Sequence, residues 1–243
     1  MLRLFEDEGI DVRLRSRIFR VEGNSGERVR VHCANGGSPI QFEGTHLLAA
    51  IGRTPNTDGI GLAVAEVGLD ERGFIKVNEN LRTTAENAWA VGGCAGSPQF
   101  THVAYDDFRI VRDSITGGNR STKDRQIPSC LFTDPEFARI GLNETEAKRN
   151  GTAYRLAKIT AAAVLRTRTL SESRGFLKCL IEAASDRILG FSAFGVEAAE
   201  VIGVVQLAMI VGAPYTSIRD AIFTHPTMVE GLNVLFSKPP SKI

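Results

Sequence analysis

The sequence predicts a fold of mixed α/β and α+β class, and three observations carry that prediction. A helix-like opening runs into short strands separated by Asn/Gly turns. Two apolar runs, Leu47–Ile51 and Ala88–Val91, each end in glycine before a loop or a helix. Beyond residue 126, further strands frame a helix that is apolar around most of its circumference. At 243 residues the chain can hold one large or two modest domains, each with a core.

Leu2, Leu4, Phe5 and Ile10 bracket an acidic, helix-like face that stops at Gly9, and Val12–Val21 continues as a strand of basic and apolar residues. Asn24-Ser25-Gly26 turns the chain into a strand over Arg28–Cys33. Asn35-Gly36-Gly37 turns it again into Ile40-Gln41-Phe42, which completes a small antiparallel meander. The alternating arginines are read as the wet side of half-buried strands. Leu47–Ile51 is expected to be a buried strand that runs into Gly52-Arg53-Thr54-Pro55-Asn56, a loop where backbone can approach a ligand. Ala88–Val91 is expected to be a second buried strand, broken by Gly92-Gly93. The helix that follows, Thr101–Val111, opens with amides that can face an anion or a polar ring edge. By itself this pattern is weak evidence for a nucleotide, because glycine turns join strands to helices in many folds.

Gly117–Asp124 has glycine and polar residues with no apolar period, and a domain boundary is placed near it. Strands follow at Cys130–Phe132 and Phe137–Ile140, around the turn Thr133-Asp134-Pro135-Glu136. Asn143 caps a short helix through Lys148 that Asn150-Gly151 stops. Three more strands are expected at Tyr154–Thr160, Phe176–Ile181 and Ile188–Phe194. Glu197 and Glu200 sit at the start of the apolar helix, which needs apolar neighbours from its own core or from another subunit. Gly212-Ala213-Pro214 ends it, and Pro239–Lys242 is expected to be an extended, mobile tail.

Hydrophobic residues make up 43% and charged residues 23%, and a formal charge of +1 offers no electrostatic case for nucleic acid or an anionic membrane. Cys33, Cys94, Cys130 and Cys179 lie too far apart for a C-x-x-C pair or zinc-ligand spacing and are expected in the core. Three acids within the first eight residues, where a signal peptide needs an apolar run, together with a longest apolar stretch too short to span a bilayer, point to the cytoplasm.

The most chemical segment is Thr224-His225-Pro226-Thr227-Met228-Val229-Glu230. Histidines titrate near neutral pH, and a carboxylate can fix the imidazole tautomer, so His225 with Glu230 suits general acid/base work. Thr227 and Glu230 equally fit a T-x-x-E capping box, in which both side chains only satisfy backbone donors at a helix start.

Three anchors occur in order: Ala50-Ile51-Gly52-Arg53-Thr54-Pro55-Asn56, then Thr83–Gly93 with Thr101-His102-Val103-Ala104, then His225–Gly231. With them the chain resembles the carboxy-terminal half of the flavin-dependent pyridine nucleotide-disulfide oxidoreductases, the family of dihydrolipoamide dehydrogenase, glutathione reductase and mercuric reductase. The resemblance implies a partial, Rossmann-like nucleotide-binding region with the meander, followed by an α+β dimerisation domain whose antiparallel sheet is flanked by helices. It divides the chain into the end of an NAD(P)H-binding domain (1–52), the end of an FAD-binding or central domain (53–125) and the dimerisation domain (126–243). It also implies that Gly52 contacts the nicotinamide cofactor and that Gly92, Gly93, Gln99, Phe100, Thr101 and His102 lie at the flavin; no metal is expected, since the cysteines show no zinc-ligand spacing. His225 becomes the acid/base and Glu230 its orienting partner, lent across the two-fold axis of a homodimer to the other subunit's active site.

The departures carry equal weight. The family's two glycine-rich dinucleotide loops and its C-x4-C redox disulfide are not found in this sequence. The chain is therefore expected to need a flavin- and disulfide-bearing half, and to be inactive without it, because no dithiol carries electrons from flavin to substrate. At Gly93 the family has an aspartate that bonds the flavin ribityl chain, and its loss is expected to weaken flavin binding by on the order of 1 kcal/mol or more. The alternative expectation is a non-catalytic dimerisation module.

Overall fold

The computed structural model describes residues 1–238 and 240–242, and the chain divides into two compact units, Met1–Thr54 and Pro55–Ile243. In the first unit, α1 (Leu2–Asp7) precedes β1 (Ser16–Asn24), β2 (Arg28–Asn35) and β3 (Ser38–Gly44), an antiparallel sheet in the order β1-β2-β3. Alternation sorts the central strand. Val29 and Cys33 are buried, while Arg28 and Arg30 both reach Glu43 on β3, at 2.6 and 3.2 Å. Arg28 and Arg30 thus stay on the wet side of β2 and share one carboxylate.

Leu47–Ile51 corrects the sequence reading, because it forms no strand and is open to solvent, with Leu48 87% and Ile51 92% exposed. A buried strand needs neighbours on both edges to take its N–H and C=O groups, and no strand of the first unit pairs with this run.

In the second unit, residues 55–100 are mostly irregular. Ala88–Val91 makes only the isolated bridge Arg82↔Trp89 rather than a strand, and the Arg82 guanidinium covers the indole of Trp89. A 3-10 turn over Gly92–Ala95 leads to α2 (Thr101–Ile115), four residues longer than its apolar period indicated. Gly117–Asp124, read as a linker, lies within this unit and is pinned. The Thr122 N–H donates to Glu79 O, and Arg120 pairs with Asp106 at 2.6 Å.

The body of the unit is an antiparallel sheet of β4 (Ser129–Leu131), β5 (Glu136–Gly141), β6 (Tyr154–Thr160), β7 (Phe176–Glu182), β8 (Ile188–Gly195) and β9 (Ser241–Lys242), in the order β4-β5-β8-β7-β6-β9. β9 is the end of the expected mobile tail, and its pairing with β6 corrects that expectation. Pro239, from the same expectation, lies outside the described residues. Between β5 and β6, α3 (Glu144–Arg149) carries a complete capping box between Asn143 and Glu146, as the spacing predicted. Between β6 and β7, the short α4 (Leu165–Thr169) has no period long enough to announce it.

Period-2 alternation puts Leu177, Cys179 and Ile181 of β7 in the main core with Phe191 and Ala193 of β8. Leu180 points the other way, onto Ala147 of α3 and Tyr154. The main core is closed by α5 (Ala198–Ile210), α6 (Tyr215–Arg219) and α7 (Gly231–Phe236). α5 buries Ala198, Val201, Ile202, Val205 and Ala208, and leaves Leu207 and Ile210 each 62% exposed. Its inner face meets the sheet; its outer face carries Glu200, Gly203 and Gln206 and, toward the C-terminal end, the exposed Leu207 and Ile210. Among the described residues no helix is long and apolar enough to cross a membrane.

Candidate active site

Two clusters of the second unit gather the residues singled out in the sequence. The first stands at the start of α7. Leu232, Leu235 and Phe236 are buried and fix the helix against the core. Gly231 is required there because a Cβ would lie 2.7 Å from Val164 Cγ2 at the start of α4. Close packing thereby sets Glu230, one residue earlier, at the rim of the core, 16% exposed. Its Oε2 accepts from His225 Nδ1 at 2.8 Å, and the imidazole is 64% exposed.

A carboxylate oxygen accepts, so in the neutral tautomer that suits this contact Nδ1 carries the proton and Nε2 is the acceptor nitrogen. Thr227 Oγ1 accepts from the Glu230 N–H at 3.2 Å and donates to Thr224 O at 2.7 Å. Half of the capping box is therefore formed, and the carboxylate half goes to the imidazole. The helix start that a capping box at Thr227 would mark is not found there, because α7 begins only at Gly231.

The second cluster surrounds the start of α2. Gly92 has φ +69, a left-handed backbone, and a Cβ there would meet Ala104 Cβ at 3.2 Å, so only glycine lets the turn lie against the helix. Its N–H donates to Asp107 Oδ2 at 2.7 Å, and the other oxygen of this fully buried carboxylate accepts from Arg125 Nη1 at 2.6 Å. Asp107 and Arg125 were missed in the sequence. The available signal was an acid on the apolar side of an amphipathic helix, which demands a buried partner.

Gly93, in contrast, has nothing within 4 Å of where a Cβ would stand. Gln99, Phe100, Thr101 and His102 line a groove of about 390 Å³ with Cys130, Phe132 and Ile202 among its walls. No side chain caps α2, so its opening N–H groups are left for water or a ligand. The His102 ring is engaged elsewhere, with Nε2 at 2.9 Å from Pro128 O and Phe100 stacked on it.

Gly52 belongs to the first unit, with φ +125 and nothing within 4 Å of where a Cβ would stand. Cys33 and Cys179 are buried as expected, but Cys94 and Cys130 are only partly so, a correction to the core reading. Burial, and then the nearby Glu136 carboxylate, hold the Cys130 thiol above its usual range.

Comparison with known proteins decides the family. Residues 127–235 match the model of the pyridine nucleotide-disulphide oxidoreductase dimerisation domain, and residues 1–107 match that of pyridine nucleotide-disulphide oxidoreductases. The chain belongs to the pyridine nucleotide-disulfide oxidoreductase family. A probable pyridine nucleotide-disulfide oxidoreductase, RclA of Escherichia coli, is 38% identical over 96% of this chain and 52% of its own length. A dihydrolipoyl dehydrogenase of Thermus scotoductus is 35% identical over 95% of this chain and 50% of its own. The solved HOCl-induced flavoprotein disulfide reductase RclA from Escherichia coli superposes with a TM-score of 0.89 at 36% identity, covering 98% of this chain and 54% of that one. The chain thus spans about half the length of the relatives it matches, and its dimerisation-domain match supports a dimer.

Proposed function

We propose that the chain is the carboxy-terminal part of an FAD-dependent NAD(P)H disulfide oxidoreductase, a cytoplasmic homodimer of cell redox homeostasis. The single observation that carries this reading is the exposed imidazole held by a carboxylate at 2.8 Å. In this reading His225 is the acid/base, Glu230 fixes its tautomer, and the pair serves the partner subunit's cleft. Nε2 takes the proton from a thiol as it becomes a thiolate nucleophile, and returns it to the thiolate that leaves a cleaved disulfide. The pair needs an exposed ring, because a buried one could not reach a neighbouring protomer.

FAD would pass electrons from NAD(P)H to the disulfide centre. The residues around α2 fit its ring: uncapped amides at Thr101 and His102, a groove lined by Gln99–His102, and open space above Gly93 where the family's aspartate would stand. Gly92 keeps the turn packed against Ala104 of α2. Gly52 remains the candidate for nicotinamide contact, in an open loop. The three-way division at 52/53 and 125/126 belongs to the same reading, as does inactivity of the chain alone.

The test is complementation. Mixing the chain with a separately produced flavin- and disulfide-bearing half is expected to restore NAD(P)H-dependent disulfide reduction, and no restoration with a properly folded partner half would count against the reading. A second reading, a non-catalytic dimerisation module, is favoured by Gly93 and by the exposed Leu207 and Ile210 of α5. It predicts a colourless dimer that gains neither flavin nor activity from any partner half.

A further inference from the structure

We infer that Asn233 is the positioning residue that holds His225 against Glu230. This inference rests on the reading of those two residues as an acid/base pair and goes beyond it. Asn233 lies in the first turn of α7, and its backbone N–H donates to Glu230 O at 3.0 Å. Its side-chain Nδ2 lies 3.0 Å from Ile218 O, 2.9 Å from Arg219 O and 3.0 Å from Ala221 O. Two amide protons are thus shared among three carbonyls, two at the C-terminus of α6 and one just beyond it.

Helix C-termini leave carbonyls short of partners, and although Ile218 O also accepts from the Ala221 N–H at 3.3 Å, Asn233 reaches all three from another element. The strategic point is which element. α6 feeds directly into the stretch Ala221–His225, of which Ile222 is fully exposed and only Phe223 packs on the core. The stretch therefore has little burial of its own to fix it. One residue grips the arm that carries the imidazole with its side chain and the residue that carries the carboxylate with its backbone. The other ties, Thr227 Oγ1 to Thr224 O and to the Glu230 N–H, lie within the loop and cannot anchor it to α6. The charged neighbours on the arm, Arg219 and Asp220, pair with each other at 2.7 Å.

The test is nitrogen NMR of the His225 ring in the full chain, under alkaline conditions where imidazoles are neutral. The wild type is expected to show the Nδ1–H tautomer that Glu230 holds, whereas free imidazole prefers Nε2–H. Glu230→Gln is the reference for losing that hold. Asn233→Ala is expected to lose roughly half or more of the Nδ1–H population. Asn233→Ser, which keeps one donor and disturbs folding less, is expected to lose a smaller share.

If Glu230→Gln shifts the tautomer and neither Asn233 variant does, this inference fails and the pair reading stands. If Glu230→Gln itself changes nothing, the pair reading fails and takes this inference with it. A measurement without variants applies even where Asn233→Ala does not fold. The Asn233 side-chain amide protons are expected to exchange slowly with solvent, and exchange as fast as that of an exposed asparagine overturns the inference.

Discussion

Glu230 has two claimants for its carboxylate, the backbone at Thr227 and the ring of His225, and the ring takes it. Spacing alone could not choose, because a capping box and an acid/base pair use the same residue types at nearby offsets. The helix start decides: α7 begins after Glu230, so no first-turn role remains for the carboxylate. Glu230→Gln is accordingly expected to change stability by no more than about 1 kcal/mol in thermal denaturation, while altering the ring. Asp107 behaves oppositely. Asp107→Ala leaves Arg125, only 15% exposed, without its nearest carboxylate and frees the Gly92 N–H. Loss of about 3 kcal/mol is expected in denaturant unfolding. A change below about 1 kcal/mol would show that Asp106, the second partner of Arg125, replaces it.

At the scale of elements, legibility tracked how local the cause was. The meander and the strands from β5 to β8 were readable because alternation and turn residues are written within each segment. The capping box of α3 was readable for the same reason. Leu47–Ile51 and Ala88–Val91 were misread because an apolar run states a demand for burial without naming the partner that meets it. α4 and α6 were too short to show a period, and each is held by its neighbours.

The α3 box gives a pH prediction. The Asn143 backbone N–H, and then Arg139, hold the Glu146 carboxyl below its ordinary value of 4.5. A depressed folded value means that the unfolded chain binds the proton more readily. The stabilisation is therefore complete above 4.5 and is lost as pH falls through the lower, folded value. The difference in melting temperature between wild type and Glu146→Gln is expected to shrink as pH is lowered through that window, and a constant difference would contradict the linkage.

At the scale of the whole molecule, α5 joins fold to assembly. Val201 and Val205 face the sheet while Leu207 and Ile210 face outward, and the dimerisation-domain match covers this helix. Leu207→Glu with Ile210→Glu is expected to convert a dimer to a monomer in sedimentation without changing far-ultraviolet circular dichroism. A dimer that survives both charges would place the interface elsewhere. The candidate site residues were picked out largely through the family resemblance, since spacing alone left His225 and Glu230 between an acid/base pair and a capping box. Asp107 and Asn233 were not legible, because their partners lie 15 and 18 residues away in one case and 12 to 15 in the other.

The most direct measurement is rapid-mixing kinetics on the chain complemented with its flavin-bearing half, comparing wild type with His225→Gln. The account predicts that flavin reduction by NAD(P)H is unchanged, while disulfide turnover falls about 10²- to 10⁴-fold. Equal turnover in the two proteins would contradict it, because the exposed imidazole at the start of α7 would then move no proton in the reaction.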